Sequence, residues 1–228
     1  MSSDYRLYSL YCDSPGLDLL RTSGCHPAYR EKVRLRSYQE NPEASEPVFL
    51  EVKKKIDGIT VKTRKHLPLA DVRLTPDAFT GPDLCSRDLK RIASRYALQP
   101  VLFLSYHRIC QVWKDDPDLR ITFDDDVLFR TDNLVLARDP FRDRHLLPEE
   151  ECILEIKTTR NLPLVLVRTL ERLDIRPASF SKAGKAFETM IQEGEFRYGT
   201  DNRHDVCLDG AGQSAGRKPG SWCSALLL

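Results

Sequence analysis

The sequence predicts an α+β protein whose main element is an antiparallel β-sheet. Between residues 5 and 158, apolar and polar residues alternate with period two in one segment after another, as in strands with one buried face. Asp57 and Gly58 separate two such segments, and this pair favours the tight hairpin turn in which both central residues have positive φ. Two further segments space their apolar residues as a helix does.

Eight strands are predicted along the chain, and all are rich in the β-branched and aromatic residues that favour sheets. They are Tyr5–Cys12, Tyr29–Tyr38, Val48–Lys55, Ile59–His66, Val101–Gln111, Leu119–Asp124, Val127–Leu136 and Cys152–Lys157. Helices are predicted over Ser86–Ala97, with Ser86 as N-cap, and over Leu162–Leu173, with Pro163 in the first turn. We expect one domain over residues 5–190, and a disordered C-terminal tail over residues 191–228, where a Gly- and Ser-rich stretch shows no periodicity.

Composition indicates an ordinary globular protein that resides in the cytoplasm. No apolar run is long enough to span a membrane, and the first residues lack the apolar core of a signal peptide. The seven cysteines are scattered without a CxxC pair, so we expect reduced thiols. The formal net charge is only +1 among 228 residues, which excludes a general attraction to nucleic acid. Any anion-binding site must therefore come from a local arrangement of charge.

The charged residues are segregated to one side of the predicted strands. Lys32, Arg34 and Arg36 alternate with Val33 and Leu35, so the three cations point to one face. The same alternation places further charged residues on one face of later strands: Glu51, Lys53, Lys62, Arg64, Arg120, Glu155 and Lys157. Such a face can be the solvated side of an open sheet. It can also be the polar interior of a closed barrel that holds an anion, because like charges on neighbouring strands destabilise a sheet.

Eight segments, taken in order, carry a family resemblance: 8–15 (YSLYCDSP), 32–38 (KVRLRSY), 47–55 (PVFLEVKKK), 61–64 (VKTR), 100–108 (PVLFLSYHR), 118–124 (DLRITFD), 153–157 (ILEIK) and 180–182 (FSK). Together they resemble the VTC domain, the catalytic domain of vacuolar transporter chaperone polyphosphate polymerases, in its bacterial form. The resemblance covers about residues 5–187 and implies the triphosphate tunnel fold, an antiparallel β-tunnel with flanking helices. Members of this family generally begin with a further strand and helix. We therefore expect the tunnel to lack its first strand and to have an open edge.

The resemblance also implies roles for individual residues. Catalytic cations that grip phosphates are expected at Arg34, Arg36, Lys53, Lys62, Arg108, Arg120, Lys157 and Lys182. Further phosphate contacts are expected at Arg21, Arg64 and Ser181, and carboxylates that hold Mn²⁺ or Mg²⁺ at Glu155 and Glu51. These residue types suit the chemistry, because Arg offers a planar fork of donors, Lys a point charge, and a hard metal ion wants carboxylate and phosphate oxygens.

The implied function is that of a polyphosphate polymerase, which transfers the γ-phosphoryl group of ATP to a growing polyphosphate chain. The expected partners are ATP or another triphosphate and inorganic polyphosphate, without nucleic acid and without direct membrane insertion. Whether a membrane-protein partner draws the product away is left open by the sequence. Two alternatives use the same cations: an inorganic triphosphatase that admits water, and a non-catalytic module that binds polyphosphate or inositol pyrophosphate.

Two other patterns have simpler interpretations. The three consecutive aspartates at 124–126 are predicted to form an acidic turn at a strand end rather than a metal site. Five tyrosines in strand-like segments suggest base stacking or, more simply, aromatic packing between strands. They are Tyr5, Tyr8, Tyr11, Tyr29 and Tyr38.

Overall fold

A computed structural model describes residues 2–24 and 28–195, and the backbone of residues 222–227. Within these residues the main element is a sheet of nine antiparallel strands. The strands are β1 (Ser2–Asp13), β2 (Tyr29–Ser37), β3 (Pro47–Ile56), β4 (Ile59–Pro68), β5 (Gln99–Trp113), β6 (Asp116–Arg130), β7 (Arg144–His145), β8 (Ile153–Thr158) and β9 (Trp222–Leu227). Their order in space is β4-β3-β2-β1-β5-β6-β8-β9, and the short β7 pairs with β6. The predicted α+β class with an antiparallel sheet is therefore confirmed.

One boundary between predicted strands is wrong. The segments Leu119–Asp124 and Val127–Leu136 were separated by an acidic turn in the prediction, but the three aspartates lie inside the continuous strand β6. Asp126 has a φ of 42°, and the register between β5 and β6 shifts between Ser105 and His107. A bulge therefore absorbs the unusual backbone without ending the strand.

In the part of the chain that the structure describes, four α-helices accompany the sheet: α1 (Asp18–Gly24), α2 (Leu84–Arg95), α3 (Leu164–Arg172) and α4 (Lys182–Gln192). The two predicted helices are present as α2 and α3 with shifted ends. Helix α2 begins earlier because Asp83, not Ser86, is the N-cap, and its side chain accepts a hydrogen bond from the Ser86 backbone nitrogen. Pro163 precedes the first residue of α3. Helices α1 and α4 were not predicted.

Among the described strands the sheet does not close. β4 and β9 are its outer strands, so the expected open edge is present. Of the predicted tail, residues 193–195 form the turn that ends α4, and the backbone of β9 pairs with β8. Residues 196–221 lie outside the residues that the structure describes, so the prediction of disorder for them is not tested. In the described residues, no helix has the length and apolar character needed to cross a membrane.

The two faces of the sheet differ in what covers them. Helix α2 packs over one face, against an apolar cluster that includes Val33, Leu35 and Val52, and α3 packs over β6 and β8 on the same side. The other face holds the alternate residues of the strands, among them the predicted cations, and we call it the basic face. Helices α1 and α4 cover it where it is apolar, over parts of β1, β5 and β6. Lys32 of β2 lies beside the beginning of α4, where its Nζ donates to Ser181 Oγ.

Candidate polyanion-binding site

A small cavity of about 20 Å³ opens on the basic face over β1, β2, β3 and β4. We call it the Lys–Arg cleft. Its walls are formed by Tyr11, Lys32, Arg34, Glu51, Lys53 and Lys62. The period-two alternation of each strand points these side chains to the same side, and the antiparallel register places them next to one another. Five of these six residues were singled out from the sequence as charged residues on one face.

Three lysines form a row across the cleft. Lys32 lies directly opposite Lys53, and Lys53 directly opposite Lys62. Residues in such positions have Cβ atoms roughly 5 Å apart, and like charges there destabilise a sheet. Burial lowers the pKa of Lys32 to about 8, and the neighbouring cations Lys53, Arg30 and Arg34 act in the same direction. This row favours a bound anion, because an anion would relieve the repulsion.

Glu51 is the buried carboxylate around which the cations of the cleft are arranged. Its side chain is 1% exposed, and its oxygens lie 2.7 Å from Arg34 Nε, 2.5 Å from Arg64 Nη2 and 2.8 Å from Lys62 Nζ. Arg36 Nη1 lies 3.8 Å away. Burial raises the pKa of the Glu51 carboxyl, but the charges and hydrogen bonds of its cationic neighbours lower it to about 2. One negative charge thus meets four positive charges, and the cleft stays cationic.

A second buried carboxylate, Asp124 on β6, organises the cations beside α4. Arg108 donates to it twice, from Nε to Oδ1 at 2.5 Å and from Nη2 to Oδ2 at 2.6 Å. Lys182 Nζ, at the start of α4, lies 2.5 Å from Oδ2. The sequence analysis missed Asp124 because it interpreted the three aspartates at 124–126 as an acidic turn at the end of a strand. The sequence does contain a signal for Asp124: it is four residues from Arg120, and in a continuous strand this spacing puts both side chains on the same face.

Two tyrosines connect these groups: Tyr106, which the sequence analysis did not single out, and Tyr11, which it interpreted as a stacking or packing residue. The Tyr106 hydroxyl accepts from Arg36 Nη2 at 3.3 Å, and its ring lies under Arg108 and Lys182, with Lys182 Nζ 4.5 Å from the ring centroid. The Tyr11 hydroxyl accepts from Arg34 Nη1 at 3.3 Å. Burial raises the pKa of Tyr11, but Arg34 and the neighbouring cations lower it to about 8.

Helix α4 brings the predicted residues Ser181 and Lys182 to the cleft. Ser181 is the N-cap of α4, and its Oγ accepts from the Gly184 backbone nitrogen and from Lys32 Nζ at 2.8 Å. The apolar residues of α4, such as Phe187, pack into the core over β1, β5 and β6. The core therefore fixes the helix so that its first turn meets the lysine row.

The predicted metal ligand Glu155 lies on β8, opposite Thr122 of β6. Its side chain is 21% exposed, 3.1 Å from Lys157 Nζ and 3.8 Å from Arg108 Nη2. Within residues 2–24 and 28–195, no group of three or more His, Cys, Asp or Glu side chains is arranged to hold a metal ion. Mg²⁺ is commonly held by one or two carboxylates together with substrate phosphates. The residues here fit a divalent ion on those terms, because Glu155 supplies one carboxylate and phosphate oxygens would supply the rest.

The remaining predicted residues lie at different distances from the cleft. Arg120 is exposed on β6, directly opposite Lys157, and continues the basic face towards β8. Arg21 lies in the last turn of α1, with its guanidinium 3.6 Å from Asp18. The structure thus gathers most of the predicted residues around Glu51 and Asp124, and it leaves Arg120, Lys157 and Arg21 at the margins.

Comparison with known proteins adds one finding. The family model named VTC domain matches residues 1–191, which include every element from β1 to the last turn of α4. A search of curated proteins found no match.

Proposed function

The chain belongs to the VTC domain family, and on that premise we propose that its Lys–Arg cleft binds the phosphate chain of ATP and of inorganic polyphosphate. We further propose that it is a polyphosphate polymerase. In this reaction the bond between the γ-phosphorus of ATP and its bridging oxygen breaks, and a new bond forms to a terminal oxygen of the polyphosphate chain. ADP leaves, and the chain grows by one phosphate.

The lysine row is the observation that supports this proposal most strongly. Three directly neighbouring lysines, joined by Arg34, Arg36 and Arg64 around one carboxylate, are costly to assemble unless an anion is bound. A triphosphate spreads several charges along a chain of tetrahedral groups, so a row of cations suits it better than a single cation does.

The proposed roles follow from position. Lys32, Lys53 and Lys62 would neutralise the phosphate chain, and phosphoryl transfer depends mainly on such positioning and charge stabilisation. Glu51 would hold the arginines in place, since its two oxygens are already in contact with cations. Glu155 is the carboxylate better placed to take Mn²⁺ or Mg²⁺. When bound, that ion would supply further positive charge to the phosphate oxygens.

A non-catalytic polyphosphate-binding module is the second candidate. Two observations favour it: the described sheet is open, and Glu155 is joined by no cluster of other metal-binding side chains in the described residues. The inorganic triphosphatase would use the same cations with water as the attacking group, and only the products distinguish it from the polymerase.

The test is an assay with ATP, Mn²⁺ and short polyphosphate as primer, in which chain length is read on a gel and free phosphate is measured in parallel. Long chains that disappear in Lys53→Gln and Glu155→Ala would support the polymerase. The matched control is Lys114→Gln, which removes the same charge from the exposed turn between β5 and β6. Free phosphate without chains would indicate the triphosphatase. Polyphosphate binding without either product would indicate the binding module, and no binding at all would refute the proposal.

A further inference from the structure

Four rings form a continuous row on the basic face, one from each of β1, β3 and β4 and one from the residue that directly follows β2. We call Tyr5, Tyr38, Phe49 and His66 the ring row. The ring centroids of Tyr5 and Tyr38 are 5.7 Å apart, those of Tyr38 and Phe49 5.7 Å, and those of Phe49 and His66 5.1 Å. Each ring thus lies in contact distance of the next.

The ring row lies directly beside the guanidinium groups of the cleft. Phe49 is opposite Arg36 on one neighbouring strand and opposite His66 on the other. Arg64 lies over the Phe49 ring, with Cζ 4.5 Å from its centroid. Phe49 and Glu51 are two residues apart on the same strand face, or about 7 Å along β3. If the phosphates of a bound molecule contact the cations around Glu51, the part of the molecule attached to those phosphates can therefore reach the ring row.

Two of the four rings, Tyr38 and His66, are exposed, whereas Tyr5 and Phe49 are partly buried. The core phenylalanines Phe103 and Phe129 have no exposed surface, whereas Tyr38 is 43% exposed and His66 is also exposed. Tyr8 and Tyr11, by contrast, are buried as the simpler interpretation of the tyrosines predicts. The structure thus separates packing tyrosines from one that offers its ring at the edge of the cleft.

We propose that the ring row is a nucleobase subsite, on which the base of a nucleoside triphosphate stacks while its phosphates occupy the Lys–Arg cleft. Stacking on aromatic side chains accepts every base, because each has a π-face. The inference rests on the proposed function, since it needs a triphosphate in the cleft. It adds that the cleft distinguishes a nucleotide from an inorganic phosphate chain by contacts outside the phosphates.

The test compares the binding of ATP and of inorganic tripolyphosphate to the same protein by titration calorimetry. Tyr38→Ala should weaken ATP binding roughly tenfold, the scale of one base stacked on one ring, and leave tripolyphosphate binding unchanged. Tyr38→Phe keeps the ring and should retain the affinity for ATP. The matched control is Tyr29→Ala, because Tyr29 begins β2, the strand that Tyr38 directly follows, is 41% exposed and points to the opposite face. A thermal melt of each variant checks that it is folded.

Each result decides the matter. Selective loss of ATP binding in Tyr38→Ala, and in His66→Ala as a second variant, supports the subsite. An equal loss for both ligands, no loss for either, or equal affinity of the unaltered protein for ATP and tripolyphosphate would overturn it while leaving the proposed function intact. Failure of the unaltered protein to bind tripolyphosphate would refute the proposed function, and the subsite with it.

Discussion

Replacement of Glu51 by Gln removes the one negative charge that four cations share. The side chain is 1% exposed, so solvent screens these contacts little. The pKa of this carboxyl is lowered from 4.5 to about 2. At about 1.4 kcal/mol for each pKa unit, the ionised carboxylate contributes about 3 kcal/mol to folding at neutral pH. Glu51→Gln should lower the free energy of unfolding by about this amount.

The pH dependence has a definite sign. Because the folded pKa lies below the unfolded pKa, the contribution of Glu51 is complete above about pH 4.5 and is lost as the pH falls towards 2. The difference in unfolding free energy between the unaltered protein and Glu51→Gln should therefore be constant above pH 5 and shrink at lower pH. A glutamine resembles the protonated acid, so the two proteins converge.

Urea unfolding followed by circular dichroism at several pH values measures this difference. Glu188→Gln is the control, because it makes the same chemical change at an exposed residue of α4. This substitution should alter the free energy of unfolding by less than about 0.5 kcal/mol. Equal stability of Glu51→Gln and the unaltered protein at pH 7 would show that the carboxylate does not hold the cations together. A difference that grows below pH 4.5 would contradict the reasoning on its pKa.

Two further predictions concern anion binding. Asp124→Asn should weaken tripolyphosphate binding, because the two cations that Asp124 holds would lose their positions, although a simple count of charge predicts tighter binding. The control is Asp125→Asn, which removes the same charge one residue away, at a more exposed side chain that contacts His107. This variant should not weaken tripolyphosphate binding. Equal effects of the two variants would exclude a positioning role for Asp124. Tripolyphosphate affinity should also fall as the pH rises through 8, because Lys32 loses its charge there while Tyr11 gains a negative one. The titration should move to higher pH in Lys32→Arg and Tyr11→Phe, and an affinity that is constant from pH 7 to 9 would disprove this account.

The sequence could reveal the faces of the strands, because a strand turns successive side chains to opposite sides whatever its neighbours are. Arg34, Arg36, Lys53, Lys62 and the other alternating cations were found in this way. A second local rule, the preference of an Asp-Gly pair for positive φ, predicted the hairpin at Asp57 and Gly58, where the structure has positive φ at both residues. A turn predicted from three consecutive aspartates was wrong, because Asp124 and Asp125 pair with β5, and a bulge at Asp126, where φ is 42°, lets strand β6 continue.

The sequence by itself determined that this protein has an antiparallel sheet with one cationic face and, through the resemblance of its motifs, the family to which it belongs. Only the tertiary structure decided which charges meet. Glu51 contacts cations on both neighbouring strands, and Asp124 contacts Lys182 at a separation of 58 residues. Such contacts depend on strand register and on where the core places α4, and both are set by long-range packing. Alternation along one strand tells which way a side chain points, but it carries no information about the partner that it faces.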